Sequence, residues 1–404
     1  MEEKNESIEI QPALYKRLEY VDGIKGIAAI LVVLCHLVCV FLPEFYRYSE
    51  NYHIISRIWI LTPLNIFTNG AFPVECFFVL SGFLITRKIY QSSEKSALAP
   101  LHKKCVGMAK IVIPAVILAF LLMELGLMFH LQAAQINGKL SFVNDYNAFD
   151  ANWKNLLLEL FIDPYLEGSR YVGPLWTIRY ELQGSIFIAL LAYGARSLKE
   201  KGKYSYLLVG LLFLLIQTKI CSFIMGGFIA HTLYYLDEDT SLVGKLFKKI
   251  AKCGWLKATF ALIFFYFATT NLYFTSIWSF WPKVLNYVRI AVAIPELPLR
   301  PFGIAGLLFI VATSPKIQRL FSFKLFVWLG KLSPFVYAFH WQLILSLGCG
   351  LFVLLNSYIP YHLLVVIISI IILGGSIALS YGYIKITEIV KKKIKNRKAK
   401  KLKH

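Results

Sequence analysis

The sequence predicts an all-α fold, a polytopic integral membrane helical bundle of about ten transmembrane helices. Three observations carry that expectation. Hydrophobic residues fill 57% of the 404 positions and mean hydropathy is +0.61, where soluble domains hold roughly 45–50% apolar residues. Apolar runs near the roughly 20 residues needed to cross a bilayer recur from Ile24 to the C-terminal tail. Lys and Arg gather in alternate connecting segments, 31 on one side of the alternation against nine on the other, which is the asymmetry of a positive-inside membrane protein.

The predicted spans are 24–42, 72–86, 111–130, 175–194, 204–218, 221–236, 255–272, 300–314, 332–355 and 363–384. The first run resembles a secretory signal, but 23 residues precede it and no small-residue cleavage site follows, so it is read as a retained span. Segments 1–23, 87–110, 195–203, 237–257, 315–325 and 385–404 hold 3, 6, 4, 5, 3 and 10 Lys or Arg. They form the cytoplasmic side, with both termini inside. Three regions follow: 1–23, a cytoplasmic N-terminal segment; 24–384, the membrane domain; and 385–404, a basic cytoplasmic tail. The longest outer segment, 131–174, includes "NWKNLLLELFIDPYLEG", whose helical apolar spacing suits a segment lying flat on the outer interface. In "NLYFTSIWSFWPKVLNY", Trp278 and Trp281 suit an interfacial aromatic belt.

Composition also excludes. The net charge of +20 would suggest nucleic acid in a soluble chain, but the membrane asymmetry explains it, so no nucleic-acid partner is expected. The tail "KKKIKNRKAKKLKH" reads as a solvated anchor, with anionic membrane lipids as its partner in the functional alternative. Seven unspaced cysteines argue against a disulfide framework. In "CHLVC", Cys35 and Cys39 stand at i and i+4 while His36 points about 100° away, and four ligands are lacking, so no metal site is expected.

Candidate functional residues sit inside the apolar runs. In "IKGIAAILVVLCHL" the eleven residues from Lys25 to His36 turn through about 1100° and rise about 16 Å, which puts both on one helix face. Lys25 can snorkel to the cytoplasmic headgroups, and His36 falls near mid-membrane. His36 is either a functional group or a neutral histidine bonded to a neighbouring helix. Further ionisable residues recur beside small or aromatic ones in "PVECFFVLSGFLITRK", "PLWTIRYELQGSIF" and "KLSPFVYAFHWQLIL". Their structural readings are a span-end charge for Glu75, an ion pair of Arg179 with Glu181, and a bundle histidine for His340. Their co-occurrence suits a shared polar cavity.

At these residues the chain resembles the acyltransferase-3 family of integral membrane acyltransferases. "DGIKGIAAILVVLCH" is similar to the family's "DGxRGxAxxxVxxxH", with Lys25 in place of arginine. "FFVLSGFLIT" from Phe77 to Thr86 resembles its second-span signature, "PLWTIRYE" its "PLWSLxVE" element, "FIMGGFIAH" its glycine-containing sixth span, and "WLGKLSPFVYAFH" its "xLGxxSYxxYLxH" element. The likeness runs over about residues 18–384. Departures are Glu75 for the usual aspartate, Pro334 for tyrosine, and "KKCVGMAKIVIP" for an arginine-rich approach, in which Lys104 and Lys110 keep charge without the bidentate fork. Some relatives carry a fused SGNH-type hydrolase domain, which the short segment after the last span leads us not to expect here.

The resemblance implies transfer of an acyl group, most often acetyl, from cytoplasmic acyl-CoA to a hydroxyl of a cell-surface glycan or lipid-linked sugar. Acyl-CoA (acetyl-CoA) is then the donor substrate, and no permanently bound cofactor is implied. His36 becomes the general base or the transient acyl carrier. Glu75 or Glu181 would orient its imidazole, and Arg179 would stabilise the oxyanion. Lys25 would hold the donor, His340 would line the donor cavity, and Ser81, Trp176 and Tyr337 would complete the binding surface. The expected location is the cell (plasma) membrane, multi-pass. The alternative is a polytopic membrane transporter of a small anionic or sugar-like solute, though neither inverted repeats nor paired broken helices are evident.

Overall fold

A computed structural model describes residues 17–401, apart from 47, 48, 50, 93–97, 145, 148, 216–218 and 270–298. Trp278 and Trp281 lie outside the described residues. Among the described residues there is no strand, and the α-helices run in order α1 (Glu19–Phe41), α2 (Ile54–Leu61), α3 (Ala71–Gln91), α4 (Leu98–Glu124), α5 (His130–Ile136), α6 (Trp153–Phe161), α7 (Asp163–Leu166), α8 (Thr177–Ser197), α9 (Lys203–Leu215), α10 (Ile220–Tyr234), α11 (Leu242–Lys252), α12 (Gly254–Thr269), α13 (Arg300–Ala312), α14 (Pro315–Phe321), α15 (Lys324–Leu343), α16 (Cys349–Leu355) and α17 (Tyr361–Lys401). One π-helical turn, Ile344–Gly348, joins α15 to α16.

Each of the ten predicted apolar runs is helical over most of its described length. Among the described residues four helices, Glu19–Phe41, Leu101–Glu124, Lys324–Leu355 and Tyr361–Asn396, are long and apolar enough to cross a membrane, and there are up to six if two bent pairs each count as a span. The bent pairs are α11 with α12, at 105°, and α13 with α14, at 106°. The remaining runs are shorter or more polar. Helix α3 carries Glu75, Arg87 and Lys88, α8 carries Arg179, Glu181 and Arg196, and α9 and α10 have only 13 and 15 residues.

The boundaries follow local chemistry. Glu19 and Asp22 place negative charge in the first turn of α1, where the helix dipole favours it. Pro43 follows its last residues, and proline disfavours a helical residue before it. Segment 131–174 folds into α5, α6, α7 and 3₁₀ turns. Helix α6 exposes Trp153, Leu157 and Phe161 and buries Leu156 and Glu159. The Glu159 carboxylate accepts from Ser169 Oγ and from the backbone N–H of Arg170 and Tyr171, which ties this segment to the turn leading into α8.

Two close crossings set the core. Helices α1 and α15 run parallel. A Cβ on Gly26 would stand 2.7 Å from Gly330 N, and one on Gly330 would stand 2.0 Å from Asp22 O. Glycine at both positions lets the backbones touch. Helices α3 and α10 also run parallel, since Glu75 meets Lys219 at one end and Tyr90 meets His231 at the other. Helix α8 shares the direction of α3, with Ser81 beside Glu181 and Ile89 O beside Arg196. Apolar side chains form two clusters, one around α3, α10 and α13, the other around α4, α15, α16 and α17. Phe77 and Tyr337 pack against both. Lys25 and His36 on α1, Lys104 on α4, Glu181 on α8 and His340 on α15 fall along the seam between the clusters.

Candidate active site

The α1–α15 crossing delivers two histidines to each other. Ten residues beyond Gly26 stands His36, and ten beyond Gly330 stands His340, so each ring lies about 15 Å along its helix from the glycine contact. His340 Nε2 and His36 Nδ1 are 3.0 Å apart, with ring centroids 5.0 Å apart. Each Nδ1 also stands 3.1 Å from the carbonyl four residues back, Val32 O for His36 and Val336 O for His340. A carbonyl oxygen only accepts, so both Nδ1 atoms carry hydrogen. His340 Nε2 therefore offers its lone pair to His36 Nδ1–H, whose one hydrogen is shared between it and Val32 O, and in the neutral ring His36 Nε2 is left with an available lone pair. His340 is fully buried, whereas His36 is half-buried. The arrangement can hold one imidazole in the tautomer that takes a proton at Nε2.

Around the pair stand aromatic walls. Trp341 packs edge-on against His36 at 5.2 Å and against Tyr146 at 4.8 Å. Tyr337, one turn before His340, donates to Pro174 O at 2.7 Å and meets Thr177 Oγ1 at 3.0 Å, which fastens the start of α8 to the histidine helix.

A polar cluster occupies the same seam. Ser81 Oγ donates to Glu181 Oε1 at 2.5 Å, Lys104 Nζ pairs with the same carboxylate oxygen, and Lys104 Nζ lies 3.2 Å from Ser81 Oγ. Lys25 is half-buried within electrostatic reach of both Lys104 and Glu181, and Tyr337 is within reach of Glu181. Helices α1, α3, α4 and α8 thus bring Lys25, Ser81, Lys104 and Glu181 together, with Tyr337 linking them to the histidines.

A family model described as an acyltransferase domain matches residues 18–381, a range that contains every residue of the seam. The chain belongs to the acyltransferase-3 family. No curated protein and no solved structure matches the chain. It is a membrane acyltransferase by family and by its apolar helices.

Several expected contacts fall elsewhere in this acyltransferase. Neither Glu75 nor Glu181 touches an imidazole. His36 Nδ1 is instead taken by His340 and Val32 O, because two parallel helices with matched spacing present ring to ring. Glu75, 2% exposed, accepts from Arg300 Nη1 at 3.0 Å and Lys219 Nζ at 3.4 Å, at the end of α3 where that helix begins. Arg179 does not pair with Glu181, since two residues apart on a helix they diverge by about 200°. Its guanidinium donates to Glu167 O at 2.9 Å and Tyr180 Oη at 2.6 Å. Trp176, 39% exposed, packs edge-on against Tyr180 with it, away from the seam. His340 bonds directly to His36.

Two features escaped the sequence reading. In the sequence Lys104 is only a basic residue approaching a span, because nothing in the chain places α4 beside α8. The histidine pair left a visible trace, "GIAAILVVLCH" and "GKLSPFVYAFH", each a glycine followed ten residues later by histidine. Equal spacing on two helices that cross at their glycines predicts that the histidines meet.

Proposed function

We propose that this acyltransferase moves an acyl group, with acetyl as the working choice, from cytoplasmic acyl-CoA to a hydroxyl of a cell-surface glycan or lipid-linked sugar. The observation that supports it is the His36–His340 hydrogen bond, which leaves His36 Nε2 as a base inside a half-buried seam. The acceptor hydroxyl gives its proton to His36 Nε2 as its oxygen forms a bond to the thioester carbonyl carbon. The C–S bond then breaks, and the departing CoA thiolate takes that proton, so the histidine ends neutral. His340 acts as a positioning residue, holding the tautomer through the imidazole's other nitrogen.

The donor side follows from charge. Lys25 and Lys104 stand at the end of the seam where α1 begins, and Arg87, in electrostatic contact with Tyr20, and Arg196 fall at the same end. Cations there suit the phosphates of the CoA nucleotide, with the acyl arm reaching about 16 Å along α1 from Lys25 to His36. Positive-inside bias assigns that end to the cytoplasm. About ten crossings, both termini inside and a plasma-membrane location complete the reading. Opposed directions of α1 and α3 support it, because Tyr20 near the start of α1 meets Arg87 near the end of α3.

The test is acetyl-labelled acetyl-CoA supplied to inverted membrane vesicles, with free CoA and labelled glycan both measured. Release of CoA with labelling of glycan is the expected result. Label entering the vesicles without CoA release would replace the enzyme by a transporter.

A further inference from the structure

We infer that Trp341 supplies the hydrogen-bond donor for the oxyanion of the transfer reaction, through its indole Nε1–H. This rests on the acyltransferase reading of the seam. With Arg179 bonded to Glu167 O and Tyr180, no cation from the "PLWTIRYE" element reaches the histidine pair. Trp341 is 1% exposed, and its Nε1 is buried with no hydrogen-bond partner. A buried N–H left unpaired is destabilising, and a bound carbonyl oxygen would pair it. The ring stands edge-on to the His36 ring at 5.2 Å. Its Nε1 faces Gly173, where a Cβ would come to 3.5 Å. A Cβ at Gly173 would also stand 2.8 Å from the Tyr146 ring, so glycine there lets that ring pack beside the indole, ring to ring at 4.8 Å.

The step balances. As the acceptor oxygen adds to the thioester carbon, the C=O electron pair moves onto oxygen and the acceptor proton passes to His36 Nε2. The indole N–H donates to that oxygen while it is negative. Collapse restores C=O and expels thiolate, which recovers the proton from His36, and Trp341 ends unchanged. A donor aimed at charge that develops only in the transition state raises turnover without tightening substrate binding.

The experiment replaces Trp341 by β-(3-benzothienyl)alanine, which keeps the ring shape and exchanges N–H for sulfur, with Trp341→Phe as a second variant. Full-length protein in inverted vesicles is given acetyl-CoA, and CoA release, the KM for acetyl-CoA and the thermal midpoint are read. Turnover should fall about 100-fold or more, as when a single oxyanion donor is removed, with KM within about twofold and the midpoint equal or higher. Wild-type turnover in the benzothienyl protein would overturn the inference and leave the N–H resting on the Tyr146 ring. Unchanged turnover with a raised KM would overturn it too, making Trp341 a binding residue. If the wild-type protein itself releases no CoA, the acyltransferase reading fails and this role fails with it, whereas an active wild type beside an unaffected variant sinks Trp341 alone.

Discussion

A methyl group placed at Gly330 should disable an active site about 15 Å away. In the native crossing, a Cβ at Gly330 would stand 2.0 Å from Asp22 O, whereas ordinary contact begins near 3.4 Å. Gly330→Ala must therefore part α1 and α15 by about 1.4 Å at that point, since the obstacle is backbone and cannot rotate away. Carried along two stiff parallel helices, even most of that displacement stretches the 3.0 Å bond between His36 and His340 to about 4 Å, beyond hydrogen-bonding range. Misplacing a catalytic group by about 1 Å costs on the order of 10²-fold in rate, and overpacking costs about 1–3 kcal/mol in stability. CoA release by purified protein, beside its thermal midpoint, reads both effects. Gly194→Ala is the control, because a Cβ there meets nothing within 4 Å. A folded Gly330→Ala protein turning over at the wild-type rate would refute the idea that the glycine crossing positions the histidines.

Three further outcomes are expected. Glu181 and Lys104 form a pair with side chains only 15% and 30% exposed, so Glu181→Gln should lower turnover about tenfold or more. A double-mutant cycle with Lys104→Met should show coupling of about 1 kcal/mol, and strict additivity would place the two in separate roles. Glu75→Gln removes the counter-charge of Arg300 and Lys219 from a buried site and should destabilise by about 3 kcal/mol while folded protein keeps its turnover within about threefold; a stable but inactive variant would return Glu75 to the chemistry. Asn144→Cys, at an exposed position, should react with an impermeant maleimide in intact cells, whereas exposed Cys105 should react only after permeabilisation, and the reverse pattern would invert the donor side.

The helices were legible because apolar runs near bilayer length leave few alternatives, and the family's motif elements stood in order along the chain. What the one-dimensional pattern could not convey was which faces meet. Lys25 and His36 share a helix face, yet the partners of that face lie on α15 and α4, hundreds and tens of residues away. Glu75 reads like any span-end carboxylate until α10 and α13 bring Lys219 and Arg300 against it. Arg179 and Glu181 looked like a local ion pair, and helix periodicity alone argued against it. The matched glycine-to-histidine spacing was present in the sequence, but its meaning depends on a crossing that only the fold supplies.

The proton-accepting role of His36 is tested most directly by comparing initial rates of CoA release for wild-type protein and His36→Gln, at saturating acetyl-CoA and with expression and thermal midpoint matched. Loss of the general base should lower the rate by a factor on the order of 10² or more. A rate within a few-fold of wild type would show that this histidine only packs against His340.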